Sequence, residues 1–327
     1  LSVFLLSHSR SASMTAMRNH TPNPDFVFVG FSEQKEVRAA LFVVFLATYL
    51  TMLLGNLGTL VLIGWDAQLH TPMYFFLGSL SFLDICYSST IAPRMLSDLL
   101  AGRKLISYSQ CFTQLYFYAV FGTAECYLLA AMAYDRYLAI CSPLLYATSM
   151  SSRVCVLLVA GSYLAGVLNA SLHVAVVQRL SFCGPNLLDH FYCEGPPLQA
   201  LSCSDTTLSK VLMLVAVSFN LFITILTILV SYACILATVL QLPSAGRKRK
   251  AFSTCISHLA VVTLSYGSLA FMYLGSRFRH SQKLDKVASV FYTLLTPTLN
   301  PLIYSLRNKE VKAALGRVVQ RTCPPRM

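Results

Sequence analysis

The sequence predicts an all-α membrane protein, a seven-transmembrane helix bundle with a short interfacial eighth helix. Three observations carry the prediction. Hydrophobic residues make up 56% of the 327. Charged residues reach only 12%, about half the share of an ordinary soluble domain. The charges fall in short breaks between apolar runs of about 20 residues or more, the length a helix rising ~1.5 Å per residue needs to cross a bilayer. The net charge of +12 builds no extended basic face, which argues against nucleic acid and for anionic lipid headgroups or a cytosolic partner.

The chain starts at Leu1, and Leu1 to Leu6 followed by Arg10 is too short for a signal-peptide core. Met14 or Met17 is the expected start, with residues 1–16 upstream of it, and residues 1–38 are read as an extracellular N-terminal segment. The first span is the uncharged run Ala39 to Trp65. The second and third, Met73 to Ala92 and Leu105 to Tyr134, each carry a lone carboxylate at depth, Asp84 and Glu125. Val154 to Gln178 is the fourth; after a long connection come Val211 to Leu240, Ala251 to Ser276 and Val287 to Leu306, closing a domain over residues 39–306. In the cytoplasmic segment 307–327, Val311, Ala314, Leu315, Val318 and Val319 recur at helical spacing among basic residues, as in a helix lying along a membrane surface.

An odd number of spans puts the termini on opposite faces. Lys and Arg divide almost evenly between the faces, so the positive-inside rule does not decide orientation. Cys111, Cys183, Cys193 and Cys203 all fall on the N-terminal face, which points to an oxidising compartment there. The glycosylation sequon Asn19-His20-Thr21, weakened by Pro22, shares that face, whereas Asn169-Ala170-Ser171 falls within the fourth span. The N-terminus is therefore expected outside and Arg247-Lys248-Arg249-Lys250 inside, in a multi-pass protein of the plasma membrane.

Met132-Ala-Tyr-Asp-Arg-Tyr-Leu-Ala-Ile-Cys141 ends the third span. Gly55-Asn56 lies in the first, Pro72-Met-Tyr-Phe-Phe-Leu77 opens the second, Lys250-Ala-Phe-Ser-Thr-Cys-Ile-Ser-His-Leu259 opens the sixth, and Pro297-Thr-Leu-Asn-Pro-Leu-Ile-Tyr-Ser-Leu-Arg-Asn308 closes the seventh. In this order they resemble the signatures of odorant receptors within the rhodopsin-like G-protein-coupled class, from about Met17 to the tail. Tyr163 stands where the family usually has Trp, and Glu194 where Asp is commoner.

Four cysteines allow three pairings; the resemblance implies Cys111 with Cys193 and Cys183 with Cys203. It also implies a switch built on Asp135, Arg136 and Tyr137 with Tyr232 and Tyr304 as companions. Arg136 is permanently charged at a membrane edge, and exchange of its partners biases two helix arrangements. Pro301 kinks the seventh span and leaves Asn300 and Tyr304 as a hinge. In the family fold Asp84 and Glu125 are joined by Asn56 and Asn300. Two buried carboxylates do not both stay charged unaided, so a shared proton or a sodium ion is expected there, with a purely structural polar cluster as the alternative.

Tyr118, Gly122 and Glu125 share one face of the third span, with Thr123 adjacent. The resemblance adds Val217, Asn220, Tyr266, Leu269, Tyr273, Val290 and Thr293 to the same cavity. Such a wall suits a small, largely hydrophobic molecule with one hydrogen-bonding group. Tyr118 occupies the place of the ion-pairing Asp of amine receptors, which argues against a cationic ligand; Arg277 and Arg279 leave an acidic ligand as the lesser alternative.

A retinal-type light sensor needs a lysine in the seventh span, and Val287 to Arg307 contains none. Transporters show repeats or paired intramembrane charges that this chain lacks. His258 beside Ser257 comes without a nucleophile elbow, so no enzyme is expected. The implied partners are a small-molecule odorant, the lipid bilayer and a heterotrimeric stimulatory G protein that raises cyclic AMP. Use of the same fold for an endogenous metabolite outside the nose shares every motif.

Overall fold

The computed structural model describes residues 25–101, 104–278, 282–307 and 309–322, of which 250, 253–254, 272–278, 282–284, 305–307, 309 and 318–322 are described by their backbone alone. Asn19 lies outside the described residues. The bundle consists of α1 (Lys35–Trp65), α2 (Pro72–Leu100), α3 (Tyr108–Cys141), α4 (Ser152–Val177), α5 (Thr207–Gln241) and α6 (Ala245–Phe278), closed by α7. The last of these runs as Gln282–Val290, a π turn over Phe291–Leu295, and Thr296–Arg307. The first five are each long and apolar enough to cross a membrane, and α6 carries a shorter apolar stretch, Cys255–Phe271.

Burial places α3 at the centre, packed against α2, α4 and α5. In α3, 61% of the apolar stretch is buried, against 11% in α1 and in α5, whose outer faces leave Val43, Leu54, Phe219 and Phe222 for lipid. At Gly166 the approach of α4 to α3 is so close that an added Cβ would lie 2.4 Å from the Val120 carbonyl oxygen.

Several helix ends differ from the sequence expectation. The second helix does not stop at Ala92: Pro93 forfeits only its own N–H, and Arg94 pairs with Asp98 one turn on at 3.0 Å, so the charges continue the helix. The third starts at Tyr108, because Leu105–Ile106 form a strand and Ser107 with Gln110 makes a capping box.

In α7 the missing N–H groups of Pro297 and Pro301 rob the carbonyls one turn back of their α-helical donors. Neighbouring helices supply replacements. The Ser88 hydroxyl of α2 donates to the Thr293 carbonyl at 3.0 Å, and Asn56 Nδ2 of α1 donates to the Pro297 carbonyl at 3.0 Å. Gly55 makes room for the second proline: a Cβ there would lie 3.0 Å from Pro301 Cγ.

On the N-terminal face β1 (Phe26–Phe28) lies between β2 (Leu105–Ile106), to which it is antiparallel, and β3 (Leu187–Leu188), to which it is parallel. Strand alternation turns Phe26 and Phe28 to one side, where both are buried with Ile106, Phe112, Leu115 and Leu198. Lys286 of α7 donates to the Gly30 carbonyl at 2.7 Å and to Asp189 at 2.5 Å, tying strand, loop and helix together. Both disulfides, Cys111–Cys193 and Cys183–Cys203, are on this face. At the opposite end α8 (Lys309–Thr322) docks by two polar contacts, Tyr74 to Glu310 at 2.6 Å and Arg317 to Asp66 at 2.6 Å, burying Val311 and Ala314 while Leu315 stays exposed.

Candidate functional site

A cavity opens among α3, α4, α5, α6 and α7, lined mostly by apolar side chains with a few polar groups, as small-molecule sites between helices are. Of the residues predicted from the sequence, Tyr118, Gly122, Thr123, Val217, Asn220 and Leu269 line it. Three others point elsewhere. The Tyr266 hydroxyl donates to the Cys126 carbonyl at 3.2 Å, which sets its ring behind the lining. Val290 packs in the aromatic cluster of Phe191 and Tyr192. Thr293 is buried against α2, its hydroxyl given to the Ser289 carbonyl. The resemblance implies Val290 and Thr293 on the cavity; the extra residue in the π turn rotates the helix and presents Tyr292 instead. The side chain of Tyr273 and that of Arg277, and all of Arg279, lie outside the described residues.

The lining residues that sequence reasoning missed include Asn169, His173, Leu221 and Tyr292. A signal existed for the first two: a polar pair one turn apart in an otherwise apolar span points inward. Asn169 Nδ2 donates to Thr123 Oγ1 at 2.8 Å, Asn220 Nδ2 to Asn169 Oδ1 at 3.2 Å, and the Tyr127 hydroxyl to Asn220 Oδ1 at 2.9 Å, a chain linking α3, α4 and α5. Above Tyr118 sits Tyr192 of the loop between α4 and α5, ring centroids 5.1 Å apart. Its hydroxyl donates to Glu194 Oε2 at 2.6 Å, and Glu194 Oε1 lies 3.3 Å from His190 Nε2. Burial pushes the Glu194 carboxyl up to about 7, the Tyr192 hydrogen bond opposing and Asp285 adding to it. Burial, with Lys286 nearby, holds the His190 imidazole down to about 3. Near neutral pH the contact is therefore a hydrogen bond to an uncharged imidazole, not an ion pair.

Below the cavity, Asn300 Nδ2 donates to both oxygens of Asp84 at 3.2 and 3.0 Å. Glu125 accepts from Ser265 at 2.9 Å and lies 3.5 Å from the Tyr292 hydroxyl. Asn56 is not bonded to Asp84 as the family arrangement implied, because its amide is spent on Pro297. The buried oxygens Asn56 Oδ1 and Asn300 Oδ1 lack partners among the described residues. Oxygen donors with a carboxylate fit a small hard cation such as sodium, although no group of three or more His, Cys, Asp and Glu gathers among the described residues.

At the far end of α3, Arg136 is buried. The expected pairing with Asp135 does not form among the described residues: adjacent residues on a helix face apart, and Asp135 accepts from the Tyr146 hydroxyl at 2.8 Å. Tyr232, the other expected companion, shares a hydrogen bond with His258 Nδ1 at 2.8 Å, and His258 Nε2 meets the Leu129 carbonyl at 3.1 Å, so α3, α5 and α6 are joined through this histidine. The Tyr304 hydroxyl is buried without a partner among the described residues. Tyr137 packs with Ile235 and Val239, and Pro301 is inside the last part of α7.

A family profile described as Olfactory receptor matches residues 45–322. The chain is 49% identical to Olfactory receptor 5B21 of Mus musculus, covering 95% of this chain and 98% of the relative. It is 53% identical to Olfactory receptor 5AR1 of Mus musculus, covering 92% and 97%, and 51% identical to Olfactory receptor 5B21 of Homo sapiens, covering 94% and 99%. Among solved structures it is similar to squid rhodopsin with a TM-score of 0.71 at 19% identity, over 88% of this chain and 87% of that one, a likeness of fold alone.

Proposed function

Because this chain belongs to the olfactory receptor family, signalling receptors and not enzymes, we propose that it binds a small, mostly hydrophobic odorant in the helix bundle and activates a heterotrimeric stimulatory G protein that raises cyclic AMP. The family and the spans make it a multi-pass plasma membrane protein. The observation that carries the ligand reading is the cavity itself, whose described walls combine Val217, Leu221 and Leu269 with hydroxyls, amides and an imidazole and include, among the described residues, no Lys, Arg, Asp or Glu. Burial there contributes about 25 cal/mol per Å² of apolar surface.

The orientation that supports signalling puts residues 1–38, both disulfides and the three-stranded sheet outside, the domain 39–306 in the bilayer, and 307–327 with the Arg247 to Lys250 cluster in the cytosol. A ligand against Tyr118 and Leu269 shifts α6 and α7, breaks the Tyr232–His258–Leu129 bridge and frees Arg136 to meet the G protein. Asp84 and Glu125, with Asn300 beside Asp84, are the residues that would hold a sodium ion, which would neutralise buried carboxylate charge.

The test is cyclic AMP in cells that express the chain with an olfactory stimulatory G protein, challenged with a chemically diverse odorant panel beside surface staining. The expected result is a dose-dependent rise that Arg136→Ala abolishes while surface staining persists. A response unchanged by Arg136→Ala would sink the switch assignment, and silence at confirmed surface expression would sink the receptor reading.

A further inference from the structure

We propose that His173 of α4 is the anchor for the ligand's polar end and that the ligand is a neutral alcohol, a small apolar body carrying one hydroxyl. This rests on the odorant-receptor reading and adds to it a ligand class and a specificity-determining residue.

His173 lines the cavity, is 6% exposed, and its Nε2 is buried with no hydrogen-bond partner among the described residues. The other amides and hydroxyls of the wall are already engaged. Thr123, Asn169 and Asn220 satisfy one another in the chain across α3, α4 and α5. The Tyr118 hydroxyl meets that of Tyr192, and the Tyr292 hydroxyl faces Glu125. Among the described lining residues a ligand therefore finds these amides and hydroxyls mutually satisfied and the His173 Nε2 without a partner. An unpaired buried nitrogen costs free energy that a ligand's hydrogen bond recovers.

The ligand class follows from charge and tautomer. With no Lys, Arg, Asp or Glu among the described lining residues, a carboxylate or ammonium ligand would lose its water without gaining a counter-charge there. Imidazole Nε2 donates in one neutral tautomer and accepts in the other. A hydroxyl serves both, a carbonyl or ether only the first, and a hydrocarbon neither. Val217, Leu221 and Leu269 provide the apolar side for the body of the molecule.

The experiment compares two matched series, octanol with octanal and octane, and menthol with menthone and menthane. Two readouts are taken: thermal stabilisation of the purified full-length receptor and cyclic AMP in cells. Each alcohol is expected to act at concentrations roughly tenfold below its hydrocarbon analogue, the factor one neutral hydrogen bond supplies, with the carbonyl analogue no better than the alcohol. His173→Phe should weaken the alcohols about tenfold, leave the hydrocarbons unchanged and erase the preference, while His173→Gln retains part of it. The unliganded melting temperature checks folding, and the Gln variant carries the test where the Phe variant does not fold. An alcohol preference that survives His173→Phe, or no preference in the wild type, overturns the anchor while leaving the receptor reading in place. Stabilisation by alcohols that depends on His173 without any cyclic AMP response supports the anchor and overturns the signalling reading instead.

Discussion

Glu194 reaches the cavity wall through Tyr192 and then Tyr118, His190 reaches it through Glu194, and their protons are held in opposite senses. A carboxyl at about 7 in the fold against an ordinary 4.5 binds its proton more tightly when folded; its contribution to stability is whole below about 4.5 and lost as pH rises through 7. His190, at about 3 against 6.5, contributes fully above 6.5 and loses that as pH falls towards 3. From pH 6.5 to 7.5 the folded Glu194 carboxyl gives up its proton, while the unfolded His190 gives up its own and offsets part of the change. Over that interval the melting temperature of the purified receptor should fall by about 2 °C relative to that of Glu194→Gln; identical pH profiles in the two would assign the proton elsewhere. None of this is legible in the sequence, where Glu194 reads as a conservative departure from Asp, because the shift comes from burial under Tyr192 and not from a neighbour in the chain.

Among the elements, α7 shows most plainly what a pattern can and cannot carry. Pro301 announces a kink in the sequence, and Gly55-Asn56 stands out as a pair, yet their purpose appears only when the missing N–H groups of Pro297 and Pro301 are traced to the carbonyls of Thr293 and Pro297. Ser88→Ala should cost roughly 1–3 kcal/mol by orphaning the Thr293 carbonyl, read as thermal denaturation of the purified protein. In a Pro297→Ala background the helix regains its own donor and the same substitution should cost far less; equal costs in both backgrounds would refute the assignment. The helices themselves were readable from apolar run length, since lipid demands about 20 residues regardless of detail. Their ends were not, because Arg94–Asp98 pairing and the Ser107 cap depend on local bonds. The π turn is not legible either, because nothing in the run Phe291 to Leu295 marks an inserted residue, and the resemblance implies Thr293 where the structure presents Tyr292.

For the molecule as a whole, the bundle and its disulfide-bearing face follow from composition and cysteine placement, whereas the sheet over that face comes from strands too short to declare themselves. Phe26 and Phe28 are nevertheless core residues, and replacing a buried aromatic by Ala costs about 3–5 kcal/mol. The double variant Phe26→Ala, Phe28→Ala should lose most of its surface staining and melt lower; wild-type behaviour would show that β1 is dispensable. The arrangement of that sheet also fixes an order of manufacture. Leu188 is added about 160 residues after Phe28, and at ~5–20 residues per second the first strand waits roughly 8–30 s for its parallel partner. Four helices enter the bilayer in the meantime, with two phenylalanines uncovered and a row of backbone groups unpaired. The newborn receptor thus carries its own immaturity mark, and a chaperone that recognises an unpaired apolar strand could tell a finished molecule from an unfinished one by this segment alone.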